Sequence, residues 1–161
     1  MTTFSLGALV TGAAGFAPCT AEACMELLRA HGIDPAGRRV TVVGRSLVIG
    51  RPAALLLTRA DATVTLCHRK TPDLAARCRA ADILLAAAGA PGLITPECVR
   101  PGQIVLDAGA TALSDGTLRG DVTPAAAAIT ACTPVPGGIG SVTTALLLRH
   151  TVQAAEKSHH F

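Results

Sequence analysis

Short apolar runs alternate with amphipathic stretches along this chain, and the alternation sets the expected elements. Four runs, Arg39 to Val43, Thr63 to Cys67, Asp82 to Ala86 and Ile104 to Asp107, are bounded by glycine, proline or charged turn residues and read as strands. A last strand or extended run covers Cys132 to Val135. Helical stretches fall between them, near Pro52 to Arg59, near Asp73 to Ala80, more briefly near Pro96 to Val99, and in an Ala-rich piece from Pro124 to Ile129. Upstream, Cys24, Leu27, Leu28 and His31 repeat with helical spacing, which predicts a helix over Ala21 to His31, capped by Thr20 and stopped by Gly32. The chain closes with a helix from Val142 to about Glu156, with Ser141 as its cap and Ala145, Leu148, Val152 and Ala155 on one face. Strands separated by helices imply right-handed βαβ crossovers. The expected class is therefore α/β, a doubly wound parallel sheet with helices on both faces.

Composition supports that class. At 161 residues with 50% hydrophobic content, the chain can fill one core, and neither an internal repeat nor a linker divides it. We expect a single domain: an opening segment and helix over 1–32, a sheet core over 33–140 and a terminal helix over 141–157. Aromatics are only 2%, with no Trp or Tyr, so the core must be built of Ala, Val, Leu and Ile, which suits helices lying close on a parallel sheet. Ser114-Asp115-Gly116 reads as a turn.

Several function classes are set aside. The net charge is only +3 and the arginines are scattered, which argues against nucleic acid as a partner. The apolar stretch from Phe4 to Val10 has no Lys or Arg before Arg29, unlike a secretory signal, and no run reaches the length of about 18 apolar residues that a membrane span needs. The expected location is cytoplasmic, without a membrane partner. Six widely spaced cysteines (Cys19, Cys24, Cys67, Cys78, Cys98 and Cys132) form no C-x-x-C pair and read as reduced, mostly buried thiols. His31, His68, His150, His159 and His160 show no zinc-type spacing with them, and the terminal His159-His160 pair carries no role. A nucleophilic role for Cys19 or Cys67 finds no support, because no His-Cys arrangement can be placed in space from the sequence.

The chemistry concentrates after the first strand. Gly44-Arg45-Ser46-Leu47-Val48-Ile49-Gly50 joins Val40 to Val43 to the next helix, the strand, glycine turn and helix by which a dinucleotide pyrophosphate is held. Glycines bring the backbone close to the phosphates, and unpaired N–H groups at the helix start attract negative charge. Ser46 stands where the usual G-x-G-x-x-G has its middle glycine, and one residue is added before Gly50, so an ordinary βα turn remains an alternative. At the end of the second strand, where NAD-specific domains place an acid, the chain has Cys67-His68-Arg69-Lys70-Thr71. Arg45, Arg69 and Lys70 can converge on a ribose 2′-phosphate, the alternative being a solvated basic loop.

Taken in order, Pro18-Cys19-Thr20, Gly44-Arg45-Ser46 with Val48 to Pro52, Ala62 to His68, Ala81-Asp82-Ile83, Gly120-Asp121-Val122 and Thr133-Pro134-Val135-Pro136-Gly137-Gly138-Ile139-Gly140 resemble the methylenetetrahydrofolate dehydrogenase/cyclohydrolase family. The resemblance runs from about Leu6 to Ala155 and is to the C-terminal nicotinamide-cofactor domain alone, which is Rossmann-like. It implies NADP as cofactor, with NAD possible, because Arg69 stands where many members have a serine and is similar to the branch that uses NAD with phosphate and a metal ion. It implies that Gly44, Arg45, Ser46 and Gly50 hold the phosphates and adenosine ribose, that His68 and Arg69 flank the 2′ position, and that Ala88 and Gly89 lie under the cofactor. Ala110 and Thr143 would then approach the nicotinamide, Pro136 and Gly137 would line the folate side, and Cys19 and Thr20 would edge the cleft between domains. Plain structural roles stay open beside these: turns for Gly89, Gly137 and Gly138, and a cap for Thr20.

The family's folate chemistry belongs to an N-terminal domain, where a tyrosine four residues before a lysine acts with a Gln and an Asp. No Tyr occurs in this sequence, and its only lysines are Lys70 and Lys157. Expected catalytic residues are accordingly none, with negligible turnover unless a separate folate-binding domain is the partner. The alternative is a degenerate nucleotide-binding or structural module. Asp107 to Ala112 departs from the family's hydrophobic-Gly-Ile-Asn-Arg run, and Ser141-Val142 replaces Pro-Met, which alters the nicotinamide end. Faces that meet the other domain in the family, including Leu27, Leu28 and Leu148, are expected to lie uncovered and to drive self-association into a homo-oligomer, a homodimer at its simplest.

Overall fold

The computed structural model describes residues 2–13 and 15–158, which leaves the His159-His160 pair outside the described residues. Strands form where the apolar runs lie: β1 Arg39–Val43, β2 Thr63–Cys67, β3 Ile83–Ala86 and β4 Ile104–Asp107. Two short pieces, β5 Thr111–Ala112 and β6 Leu118–Arg119, pair antiparallel around the expected turn, where Asp115 accepts the Thr117 N–H at 2.9 Å. The last strand, β7 Ala131–Cys132, is shorter than expected and pairs with β4. All five strands of the main sheet run parallel in the order β2-β1-β3-β4-β7.

Helices cover both faces. They are α1 Thr3–Thr11, α2 Cys19–Ala30, α3 Gly50–Arg59, α4 Leu74–Arg79, α5 Pro124–Ala127 and α6 Ile139–Ser158, with a 3-10 turn at Pro96–Cys98 in place of the helical piece expected there. Alternate strand residues point to opposite layers, as the pleat requires. Val40, Val42, Ile83, Leu85 and Leu106 meet Leu28 of α2, Leu57 of α3 and Leu146 of α6 on one side. Val43, Leu84, Ala86 and Val105 meet Cys78 of α4, Cys98 and Ala126 of α5 on the other. This is the doubly wound, Rossmann-like α/β architecture.

Helix boundaries moved for identifiable reasons. Glu22 N–H bonds to Pro18 O at 3.0 Å, so α2 begins behind the proline and Thr20 lies inside the helix, where it caps nothing. Similarly, α6 reaches back to Ile139, which is buried against the sheet, and Ser141 is an interior residue. Over Phe4 to Val10, the apolar run forms α1, capped by Thr2 through the Ser5 N–H at 3.1 Å. Leu28 is not uncovered as expected but only 1% exposed, packed in the layer that α2, α3 and α6 share; such burial contributes about 1.5–3 kcal/mol. Leu148, by contrast, is 65% exposed, and Ala145, Val152 and Ala155 on its face are exposed with it.

Candidate dinucleotide-binding edge

Strand register brings the functional loops together. Val43 lies opposite both Cys67 and Ala86, and Ala86 opposite Asp107, so Gly44, His68, Ala87 and Ala108 follow side by side at the carboxyl edge of the sheet. After β1 the chain crosses to β2 on one side and then returns to β3 on the other. Such a reversal leaves a crevice above the strand ends, where α/β sheets take their ligands.

The first loop is held tightly by its own backbone. Gly44 N–H donates to Cys67 O at 2.9 Å, and Ala87 N–H donates to Val43 O at 2.7 Å. With φ at +122°, a Cβ on Gly44 would collide with the Ala87 carbonyl, and a Cβ on Gly50 with the Gly44 carbonyl. Packing of the turn alone therefore demands both glycines. Ser46 Oγ accepts the Ile49 N–H at 3.1 Å and the Gly50 N–H at 3.4 Å, while Arg51 N–H bonds to Ser46 O and Ala53 N–H to Ile49 O. The expected unpaired N–H groups at the start of α3 are thus corrected: the serine that replaces a glycine folds over the helix start and occupies them. Helix dipole and the exposed Arg45 side chain remain to attract an anion there.

The second loop is a closed turn. His68 N–H donates to Thr71 Oγ1 at 2.9 Å, Lys70 N–H donates to His68 Nδ1 at 3.1 Å, and Thr71 N–H returns to His68 O at 2.8 Å. His68 is half-buried, while Arg69 and Lys70 project into solvent beside the Arg45 loop. Cys67 beneath them is fully buried, and burial pushes its thiol up, so it is no nucleophile.

Two buried acids, neither given a role on sequence grounds, hold the remaining loops. Asp121 accepts N–H bonds from Ala88 at 2.6 Å, Gly89 at 3.1 Å and Ala90 at 2.7 Å, fixing the loop after β3. Asp107 accepts from Gly109 at 2.9 Å and from Asp121 and Val122 at 3.0 Å each, fixing the loop after β4. Burial pushes the Asp107 carboxyl above its ordinary value even though the three N–H groups favour its charge. The pattern available in sequence was each acid's neighbourhood of glycine, Asp107-Ala108-Gly109 and Gly120-Asp121, where Gly109 and Gly120 leave no room for a Cβ against the facing carboxylate.

Beyond these loops opens a hollow of about 440 Å³. Ala110, Pro136, Gly137 and Thr143 line it together with Thr20 and Ile49, so the residues expected at the nicotinamide and folate side share one cavity. Thr143 is half-buried, and its hydroxyl donates to Ile139 O at 2.8 Å. Gly44, Arg45, Ser46, Gly50, His68, Arg69, Ala88 and Gly89 lie outside that lining, on the loops that continue the same edge. A crevice at the strand reversal, loops held to backbone precision and solvent-facing cations fit a phosphorylated dinucleotide.

Comparison with known proteins agrees with this geometry. A family profile described as "Tetrahydrofolate dehydrogenase/cyclohydrolase, NAD(P)-binding domain" matches residues 18–159. Bifunctional protein FolD 1 of Rhodococcus jostii is 58% identical over 153 residues, covering 94% of this chain and 52% of that protein. Among solved structures, the bifunctional FolD of Campylobacter jejuni superposes with a TM-score of 0.92 at 40% identity, over 97% of this chain and 56% of its own. The FolD of Trypanosoma brucei, solved with NADP and an inhibitor, gives 0.90 at 41% identity, over 99% of this chain and 58% of its own. The chain thus spans about half the length of the relatives it matches.

Proposed function

This chain belongs to the tetrahydrofolate dehydrogenase/cyclohydrolase family through its NAD(P)-binding domain, and on that premise we propose that it binds NADP, with NAD as a weaker ligand, along the carboxyl edge of its sheet. One observation carries the cofactor choice: no acid follows β2, and Arg69 and Lys70 stand exposed there beside the Arg45 loop. An acid would accept hydrogen bonds from a ribose 2′-OH and repel a phosphate, whereas a guanidinium grips phosphate with two bonds. Gly44, Arg45, Ser46 and Gly50 shape the adenosine and phosphate end, with His68 and Arg69 at the 2′ position. The Asp121-held loop, Ala88 and Gly89, supports the middle. Ala110 and Thr143 orient the nicotinamide ring in the hollow, with Pro136 and Gly137 on the folate side.

When bound, NADP supplies hydride transfer in folate one-carbon chemistry. The chain's own part is to hold and orient it, because its described cavity offers no tyrosine or lysine to move a proton on the substrate. These residues by themselves would turn over methylenetetrahydrofolate negligibly, and activity would require a folate-binding catalytic domain as partner. A module without turnover is the second reading, favoured by the altered nicotinamide end at Asp107 to Ala112 and Ser141-Val142. Among the described residues no helix is long and apolar enough to cross a membrane, and we place the protein in the cytoplasm.

Thermal unfolding with each dinucleotide tests the proposal. Ligand at about 100 times its dissociation constant stabilises the native state by about 2.7 kcal/mol, so NADP should raise Tm more than NAD does at equal concentration. No rise with either would refute the binding role. NADP reduction with methylenetetrahydrofolate then separates the two readings, first with the chain alone and then with a family catalytic domain added.

A further inference from the structure

We infer that Cys19, His150 and Glu22 form a nucleophilic thiol centre that takes small disulfides, in a hollow distinct from the dinucleotide cleft. Cys19 opens α2, and Glu22 follows three residues later, so both lie on the same helical face. From α6, packed across that face, His150 presents both ring nitrogens: Nε2 is 2.9 Å from Glu22 Oε2, and Nδ1 is 3.6 Å from Cys19 Sγ. A carboxylate only accepts, so Nε2 carries the hydrogen and the Nδ1 lone pair faces the thiol. Arg149 Nη2 holds the other Glu22 oxygen at 2.6 Å, and the Phe16 ring lies 4.8 Å from the imidazole at 36°. Thiol, base and orienting acid are the parts of an activated cysteine.

Access and selectivity are present as well. Cys19 is half-buried and borders a hollow of about 630 Å³ with apolar walls from Phe16, Val48, Leu147 and Ala154. Other thiols are worse placed: burial pushes Cys24 and Cys78 up to about 12 and Cys132 up to about 11, and Cys132 Sγ points at a carbonyl, Thr133 O, at 3.4 Å. In the reaction, Cys19 Sγ attacks one sulfur of a small disulfide and its proton passes to His150 Nδ1. A new S–S bond forms, the reagent's bond breaks, and the departing thiolate takes the proton from His150. Cys19 ends oxidised in a mixed disulfide, and half of the reagent leaves as reduced thiol. Thr20 borders both this hollow and the dinucleotide cleft, so the adduct stands next to the cofactor's edge.

The intact chain is treated with 4,4′-dithiodipyridine, with release of thiopyridone giving rates and peptide mass mapping giving sites. Cys19 should react first and at least about tenfold faster than Cys132, the other half-buried thiol and an internal reference. His150→Gln should slow Cys19 by about tenfold, and Glu22→Gln by less, with the Cys132 rate unchanged. Equal rates at Cys19 and Cys132, or an unchanged Cys19 rate in His150→Gln, would overturn the inference. If His150→Gln loosens the fold, seen as reaction at Cys24 and Cys78, the wild-type ratio and the Glu22→Gln rate decide it.

Discussion

Single carboxylates at this site act through the backbone they hold. Asp121 satisfies three N–H groups of the Ala88-Gly89-Ala90 loop, and an amide in its place can accept with only one of its two heads. Asp121→Asn should therefore cost about 1–3 kcal/mol in urea unfolding and weaken NADP binding with it. Acid titration separates two other carboxylates by sign. Hydrogen bonds from Arg39 hold Asp82 down at about 2 instead of 3.8, so its contribution is complete above the ordinary value and fades as pH falls from about 4 to about 2. Buried Asp107 is shifted the other way, keeps its proton to higher pH in the folded chain than in the unfolded one, and opposes folding less as pH falls toward its ordinary value of 3.8, above the Asp82 window. Unfolding followed from pH 5 to pH 2 should lose the Asp82 component in Asp82→Asn; identical acid curves for the variant and the parent would contradict it. None of these roles is legible in the sequence, where Asp82 and Asp107 stand at the ends of strand runs and Asp121 only within Gly120-Asp121-Val122. Burial against a loop far along the chain decides the matter.

At the level of elements, strand positions were readable, and so were the starts of α4 and α5, whereas α2, α3 and α6 begin two or three residues before their expected starts. Strand runs are short, apolar and punctuated, and four of the expected five match within a residue. Helix starts depend on which carbonyl catches the first N–H, and at α2 the Pro18 carbonyl prevails over the hydroxyl of Thr20. In the βα loop, the sequence singles out Gly44 and Gly50 for close approach to phosphates, and the structure gives both a packing reason. Gly44 and Gly50 must lack side chains because the Ala87 and Gly44 carbonyls occupy the space. Gly44→Ala should accordingly cost at least about 2 kcal/mol in denaturant unfolding even without cofactor, which a purely phosphate-binding glycine would not. In the proposed reading, specificity belongs to the neighbouring loop. Removing the guanidinium in Arg69→Ala should weaken NADP about tenfold, about 1.4 kcal/mol, and leave NAD unchanged by calorimetry; equal losses would move the 2′-phosphate contact elsewhere.

At the scale of the whole molecule, an apolar stripe is left without a cover among the described residues. Leu147, Leu148 and Val152 on α6 are 57%, 65% and 58% exposed, and Phe4 and Val10 of α1 are 82% and 63% exposed. The opposite side of α6 is satisfied: Leu146 is buried in the core layer, and Arg149 and His150 reach the carboxylates of α2. Pattern reading found the stripe but had no means of telling which side of an amphipathic helix the core would take, and Ala145, Leu148, Val152 and Ala155 are the side it left out. Each leucine removed from water is worth about 1.5–3 kcal/mol, so pairing α6 with α6 across a two-fold axis offers a large gain for few contacts. Sedimentation velocity should show mass rising with concentration from 16.2 kDa toward twice that value. Leu148→Glu places a charge at the centre of the stripe and should restore the monomer without lowering Tm, because the side chain already faces solvent. A parent chain that stays monomeric at its highest soluble concentration would show that the stripe needs a different partner. The folate-binding domain would then be the first to try, because turnover that appears together with loss of α6 exposure in hydrogen exchange would identify one surface as serving both.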